Sequence, residues 1–276
     1  MSRPPVSLIK AHAYGNDFLM AGSEAVAAVT DLPEFARQVC GRHRGIGADG
    51  LMVVERRPAG VSMRLWNADG SRSELSGNGV RCVAAWIASE KASLAEADIA
   101  IETEAGLKRL RLLAHRGREW VFRAAMGKPD GLRLERIEAG GETVEAVVLR
   151  VGNPQCVVLG PVNEERLARL GSALAVHPFF PHGTNVELAA VEAPDRVRIL
   201  IWERGVGPTA ASGTGACAAA VAASAFGGAE REVDVVAPGG TQRVEWTDEG
   251  LWLTGAAELV ARIDWLAAET ATGRQS

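Results

Sequence analysis

The chain is 276 residues long and 47% hydrophobic, enough to bury one large core or two modest ones, and its net charge of −4 comes without a long run of either sign. That balance argues against a nucleic-acid partner or a charged membrane surface, and no apolar stretch is long enough for a membrane span, the Ala211–Ala225 region being small and interrupted by glycine. Met1–Lys10 carries two prolines and no apolar segment, so a signal peptide is not expected. In chain order, Pro33–Arg42 reads as the first helix, and Leu51–Val54 and Ser62–Trp66 as strands, being short and rich in Val, Ile and Leu. Asn67-Ala68-Asp69-Gly70 is a turn, and Ser76-Gly77-Asn78-Gly79 leads into a second helix over Val80–Lys91. Ala146–Val151 and Cys156–Leu159 are strand-like, Glu164–Leu174 is a third helix and Val197–Trp202 a further strand. Ser212-Gly213-Thr214-Gly215 leads into Ala216–Phe226, a run almost all Ala, Val and Cys that predicts a helix buried on every side, with strands wrapped closely around it. Pro238-Gly239-Gly240 is another turn, and the tail Ala267–Ser276 is expected to be frayed.

The two Ser-Gly-x-Gly turns start at positions 76 and 212, and their spacing of 136 residues recurs upstream. Gly47–Glu55 loosely matches Gly183–Val191, with Leu51 level with Glu187, and Asn67-Ala68-Asp69-Gly70 lies level with Glu203-Arg204-Gly205-Val206-Gly207. At a spacing of 137, Gly15-Asn16-Asp17-Phe18 pairs with Gly152-Asn153-Pro154-Gln155. Matches in the same order at a nearly constant spacing mark a disguised duplication. The expected fold is α+β: two pseudo-symmetric domains, residues 1–125 and 126–276, each a curved sheet or open barrel around a central helix, with the first domain's closing strand allowed to come from the C-terminus.

A Ser-Gly-x-Gly turn that feeds a helix presents unpaired backbone N–H groups at the positive end of the helix dipole, which suits an anion. Two such turns suggest one small anion held between two helix N-termini, a geometry in which a substrate carbon is reached from both sides. If a pseudo-twofold axis relates the halves, the loops carrying Asn16, Asn67, Asn78, Asn153, Asn185, Glu203, Arg204 and Thr214 meet at one cleft. A single loop asparagine is ordinary turn chemistry. Placement at matched points of both halves is what points to a site, where Asn side chains fix an amino-acid carboxylate while Glu203 and Arg204 bind a second amino and carboxyl group.

Gly15-Asn16-Asp17-Phe18, Arg42-His43-x-Gly45-Ile46-Gly47-Ala48-Asp49-Gly50, Asn67-Ala68-Asp69-Gly70-Ser71, Gly77-Asn78-Gly79-Val80-Arg81-Cys82, Gly152-Asn153-Pro154, Glu203-Arg204-Gly205-Val206-Gly207 and Gly213-Thr214-Gly215-Ala216-Cys217 together resemble the diaminopimelate epimerase family, from about Lys10 to Leu259. The resemblance implies a cofactor-independent, cytoplasmic epimerase of two mirrored domains, commonly a homodimer. It would convert LL- to meso-diaminopimelate for lysine and peptidoglycan synthesis, with no metal, nucleic acid or membrane involved. It also implies substrate contacts from Asn16, Asn67, Asn153, Asn185, Glu203 and Arg204, and a carboxylate cradle on the backbone of Gly77, Asn78, Gly213 and Thr214.

The family's two proton-transferring cysteines each stand just before one of the glycine-rich turns, where this chain has Ser76 and Ser212. A thiol near a helix N-terminus supplies a thiolate near neutral pH, whereas a serine hydroxyl needs an adjacent base. Gln155 stands where the family usually has His, and Pro208 where it usually has Glu. Ser76 and Ser212 are therefore the acid–base positions, with Glu203 and Gln155 beside them as catalytic candidates. Glu74, Asp69, Glu203, His12 and His43 are the groups considered as bases behind the serines. The alternatives are a diverged homologue that works on another amino acid with carboxylate bases, and an amino-acid-binding protein without turnover. Cys40, Cys82, Cys156 and Cys217 are scattered, without CxxC or metal spacing, and are expected to be buried reduced thiols. Neither turn fits a dinucleotide or phosphate-loop motif, and Lys10, Lys91, Lys108 and Lys128 all lie outside the paired turns, against a Schiff-base enzyme. Trp66, Trp202, Trp246 and Trp252 sit in apolar runs and are expected in the core.

Overall fold

The computed structural model describes residues 5–57, 60–73, 76–90 and 98–266, so the tail from Ala267 and the candidate base Glu74 lie outside the described residues. Its first half runs β1 (Val6–Ala13), β2 (Asn16–Gly22), α1 (Leu32–Cys40), β3 (Gly50–Arg57), β4 (Gly60–Asn67), β5 (Arg72–Ser73), α2 (Gly77–Ser89), β6 (Asp98–Thr103), β7 (Gly106–Arg116) and β8 (Glu119–Gly127). The second runs β9 (Asp130–Ala139), β10 (Glu142–Val151), β11 (Asn153–Leu159), α3 (Glu164–Ala175), β12 (Asn185–Ala193), β13 (Arg196–Glu203), β14 (Gly207–Thr209), α4 (Gly213–Phe226), β15 (Glu232–Ala237), β16 (Gly240–Trp246) and β17 (Leu251–Trp265).

Strands β1, β2, β3, β4, β6, β7, β8 and β17 pair in that order and close on β1, forming a barrel. The β2–β3 and β4–β6 pairs are parallel, because the connections carrying α1 and α2 return the chain to the same end of the sheet. The second barrel repeats the pattern from β10 to β17, with β11–β12 and β13–β15 parallel, and is completed by β8 and its continuation β9. Strand β17 serves both: Leu251–Thr254 pairs with β16, Leu251–Glu258 with β8, and Glu258–Trp265 with β1. The two halves are thus pseudo-symmetric, as the duplication implies.

Helix α2 runs inside the first barrel, where Val80, Val83 and Ile87 pack against Met20, Met52 and Phe122. Helix α4 runs inside the second, and every residue from Gly215 to Ala223 is buried. Ala and Cys are small enough to let the walls close around it, so its sequence carries no amphipathic stripe. The outer helices behave differently. On α1, Phe35 and Val39 pack against Leu19, Leu51 and Val53, and on α3, Leu167, Leu170 and Leu174 pack against Val158 and Leu188. Each is capped by its preceding residue: Asp31 Oδ1 accepts from the Glu34 N–H at 2.9 Å, and Asn163 Oδ1 from the Arg166 N–H at 2.8 Å. No helix among the described residues is long and apolar enough to cross a membrane.

Three details depart from the sequence reading. Helices α2 and α4 begin at Gly77 and Gly213 rather than at Val80 and Ala216, because the serine before each turn is itself the cap and the Gly-x-Gly triplet forms the first turn. The repeat is not in constant register: Phe18 pairs with Gly50 and Gln155 with Asn185, so β12 is shifted by one residue and Glu187, not its neighbour, takes the place of Met52. One residue changes the face of a strand, which moves Glu187 from the expected level of Leu51 to the inside of the barrel. Trp66 is buried, and Trp202 and Trp246 pack half-buried against the cores. Trp252 instead lies half-exposed on the outer wall under Arg123, whose guanidinium carbon is 4.3 Å from the ring centroid.

Candidate active site

The two serines occupy equivalent positions. Ser76 Oγ accepts from the Gly79 N–H at 3.1 Å and Ser212 Oγ from the Gly215 N–H at 3.1 Å, each with extended backbone ahead of its helix. The next backbone donors, Val80 N–H and Ala216 N–H, close the first turns on Ser76 O and Ser212 O. The N–H groups of Gly77 and Asn78, and of Gly213 and Thr214, take no part in these caps and stand at the positive ends of α2 and α4.

Contacts across the pseudo-axis bring these ends together. Asn78 Nδ2 donates to Asn16 Oδ1 at 3.2 Å and, into the other half, to the carbonyl of Ala211 at 3.3 Å, one residue before Ser212. Arg81, one turn further along α2, is wholly buried. Its Nη2 donates to Asn78 Oδ1 and to Gln242 Oε1 on β16, the latter at 3.3 Å, and a methyl group built on Gly213 would lie 3.6 Å from its Nη1. The guanidinium lies over the Tyr14 ring, 5.7 Å from its centroid, and the Tyr14 hydroxyl oxygen accepts from the Ala256 N–H at 2.9 Å. Burial lowers the pKa of Arg81, and an arginine side chain stays protonated in proteins. A fixed positive charge therefore reinforces both helix N-termini.

The remaining predicted residues fall into two groups. Asn16 Nδ2 donates to Asp49 Oδ2 at 2.7 Å, and the Ala68 N–H to Asp49 O at 3.0 Å, which sets Asn16 and the turn after Asn67 around Asp49. Asn67 itself donates to Ser71 Oγ at 2.9 Å. Glu203 is mostly buried; burial first, then the charge of Asp49, raises its pKa. On the other side, Gln155 is fully buried and donates to Asn153 Oδ1 at 2.6 Å. Asn185 Oδ1 accepts from the Arg204 N–H at 2.9 Å, and exposed Arg204 donates through Nη1 to the carbonyl of His182, also at 2.9 Å. Pro208 pairs with Trp202 across β13 and β14.

Several candidate bases stand elsewhere. Asp69 is exposed and accepts from both the hydroxyl and the N–H of Ser71, which holds its carboxyl below the ordinary range as a turn residue. His12 faces Glu258 on β17 at 4.0 Å, and His43 is exposed after α1. All four cysteines are free and buried; burial pushes Cys82 and Cys217 up to about 12, so neither supplies a thiolate near neutral pH.

Three residues outside the sequence reading's site list belong to this neighbourhood: Asp49, Arg81 and Glu187. Asp49 and Arg81 lay inside quoted motifs without an assigned role. Glu187 carried the clearest overlooked signal, a carboxylate inside the apolar run Val186–Ala190.

The profile of the family described as diaminopimelate epimerase matches residues 8–130 and 147–260. The diaminopimelate epimerase of Desulforudis audaxviator is 40% identical over 279 aligned positions, covering 94% of this chain and 99% of that protein. That of Moorella thermoacetica is 38% identical, covering 93% and 98%. Among solved structures, a predicted epimerase from Pseudomonas aeruginosa superposes with a TM-score of 0.74 at 15% identity, over 95% of this chain and 99% of its own. A hydroxyproline epimerase from Agrobacterium vitis with bound trans-4-hydroxy-L-proline gives a TM-score of 0.68 at 16% identity, over 95% and 93%. At such identities the structural likeness concerns the fold.

Proposed function

The chain belongs to the diaminopimelate epimerase family, and from that premise we propose that it binds diaminopimelate between the N-termini of α2 and α4 and inverts one α-carbon without a cofactor, LL to meso. The observation that carries this reading is the pair of serine-capped helix N-termini tied across the pseudo-axis by Asn78 and Ala211. An α-carboxylate resting on the N–H groups of Gly77, Asn78, Gly213 and Thr214 sets the α-carbon between Ser76 and Ser212. Negative charge that moves onto the carboxylate as the α-proton leaves is then stabilised by both helix dipoles and by Arg81. Glu203 takes the distal ammonium and Arg204 the distal carboxylate, while Asn16, Asn67, Asn153 and Asn185 orient the chain between them and Gln155 holds Asn153.

A second reading has its own observation. Both serine oxygens already serve as helix caps, and the buried cysteines supply no thiolate, so the same cradle suits an amino-acid binder without turnover. Proton NMR of LL- and meso-diaminopimelate in D2O separates the two. Loss of the α-proton signal with appearance of the other stereoisomer establishes the epimerase. Binding by calorimetry with no exchange over days leaves the binder, and no binding of either isomer refutes both. We also place the protein in the cytoplasm as a homodimer, supported by the family and by the free cysteines; a sedimentation experiment that finds a monomer at micromolar concentration overturns the dimer.

A further inference from the structure

Behind Ser212, inside the second barrel, lies a carboxyl group that packing does not require. Glu187 on β12 is completely buried, and neither of its oxygens has a hydrogen-bond partner among the described residues. Leaving a buried polar group unpaired is costly, so its presence needs a reason. In the first half the equivalent place is held by Met52: a methyl group built on Gly79 would meet Met52 Sδ at 2.9 Å, and one built on Gly215 would meet Glu187 Oε1 at 2.5 Å. A thioether evidently suffices to fill that space.

The carboxyl is not alone. Glu187 is in register with Val157 and Ile201, and Ile201 with Thr209, so Glu187 and Thr209 lie on the inner face on either side of β13. Thr209 Oγ1 and Gln155 Oε1, the latter one step along that face beside Asn185, are also buried without partners among the described residues. This polar lining surrounds the first turn of α4. The methyl group on Gly215 that meets Glu187 would also meet Ser212 Cβ at 3.2 Å, so acid and serine flank one glycine. As a cap Ser212 Oγ accepts from Gly215 N–H, and among the described residues its own hydrogen is shared with Thr214 Oγ1, 3.4 Å away, where either hydroxyl can donate.

We propose that Glu187 accepts the hydroxyl proton of Ser212 as that oxygen removes the substrate's α-proton, a role that Met52, which fills the equivalent place behind Ser76, does not supply. The proposal rests on the epimerase reading. In the step, the Cα–H bond breaks and an Oγ–H bond forms, while the original Oγ–H proton passes to a Glu187 oxygen. The electron pair stays on the substrate carbon, delocalised into the carboxylate held by the helix ends. The charge of Glu203 acts on Glu187, and that of Asp49 on Glu203. Glu203, on the same face of β13, is the titratable group whose charge acts on Glu187, while Cys156 on the neighbouring β11 packs on the outer face with Val158 and Leu188. Burial and then Glu203 push Glu187 up to about 8, so the relay opens as pH rises through that value. The consequence is one-sided chemistry: the stereoisomer whose α-proton faces Ser212 exchanges it with solvent faster than it is inverted.

Two measurements test this. The first needs no substrate: alkylation of the introduced thiol by iodoacetamide as a function of pH in S212C and S76C, each with and without E187Q. The native thiols are buried. Replacing the carboxyl is expected to shift the S212C midpoint by at least about half a pH unit and leave S76C unmoved. No shift in S212C, or equal shifts in both, overturns the proposal. The second follows α-proton exchange of LL- and meso-diaminopimelate in D2O from pH 7 to 9.5. Exchange of one isomer ahead of inversion is expected, rising through about pH 8, and lost at least tenfold in E187Q and E187M with calorimetric affinity unchanged. Exchange that persists in E187Q, or proceeds equally from both isomers, refutes it. A parent protein that does not bind diaminopimelate sinks the epimerase reading, while the thiol titration still decides whether Glu187 and Ser212 are coupled.

Discussion

Replacing Glu187 by Gln should change how stability depends on pH. The carboxyl is fully buried, and burial, followed by the charge of Glu203, raises its pKa from 4.5 to about 8 in the folded protein. Below pH 4.5 the group is protonated in both states and has no effect. Between 4.5 and 8 the unfolded chain releases the proton while the folded one keeps it, so stability falls as pH rises and the loss is complete above 8. At about 1.4 kcal/mol per pH unit, the whole window is worth roughly 4–5 kcal/mol, a large share of the stability of an ordinary domain. Glutamine keeps the shape and does not ionise, so the E187Q variant should match the parent near pH 5 and exceed it by several kcal/mol at pH 9. Urea unfolding followed by fluorescence of the seven tryptophans at pH 5, 7 and 9 measures both proteins. The difference between them isolates Glu187 from Glu203, whose pKa is also raised, and from Asp17, where hydrogen bonds from Arg42 and Lys10 outweigh burial and lower it. Parallel pH curves for parent and variant would falsify the argument.

Other outcomes follow from the same geometry. Ser76→Cys together with Ser212→Cys should raise the epimerisation rate of diaminopimelate at least a hundredfold, read by NMR; a double variant that binds substrate and stays inert means the cleft has diverged. Gly215→Ala should cost about 1–3 kcal/mol more than Gly79→Ala, since the new methyl meets the Glu187 carboxyl in one case and the end of a flexible Met52 in the other; equal shifts in melting temperature refute the comparison. Arg81→Met strands Asn78 Oδ1 and Gln242 Oε1 without their donor, and should cost about 3 kcal/mol and weaken amino-acid binding; a variant with parental affinity would remove Arg81 from the anion site.

Much of this was legible before any coordinates, because it is written locally. The runs Pro33–Arg42 and Glu164–Leu174 locate α1 and α3, and the two Ser-Gly-x-Gly turns lead into α2 and α4, although the serines' part as caps shows only in the structure. The apolar runs locate β3, β4, β10, β11 and β13, and the matched spacing implies the mirrored halves. Strand β7 was harder to see: in Gly106–Arg116 only Leu110 and Leu112 are buried, and the basic residues around them mask the alternation. The site was read through its loop asparagines and missed its interior. A constant spacing set Glu187 level with Leu51, and only strand pairing reveals the one-residue shift that turns it inward beside Gly215. Arg81 was hidden for another reason: an arginine within an inner helix is held there by Asn78, Gln242 and the Tyr14 ring, and Gln242 comes from the other half of the chain.

The shared strand β17 has a consequence for how the protein is made. Val6 pairs with Trp265, so the first barrel's closing hydrogen bonds join two segments that lie far apart in the chain. While the ribosome is still extending the chain, β1 has one unpaired edge and α2 one uncovered flank, although nearly all of the first half has already emerged. That half therefore completes its fold last, though it is synthesised first. Lesions near Ala261 or Ile263 should register as loss of structure around β1, at the far end of the sequence from the damage.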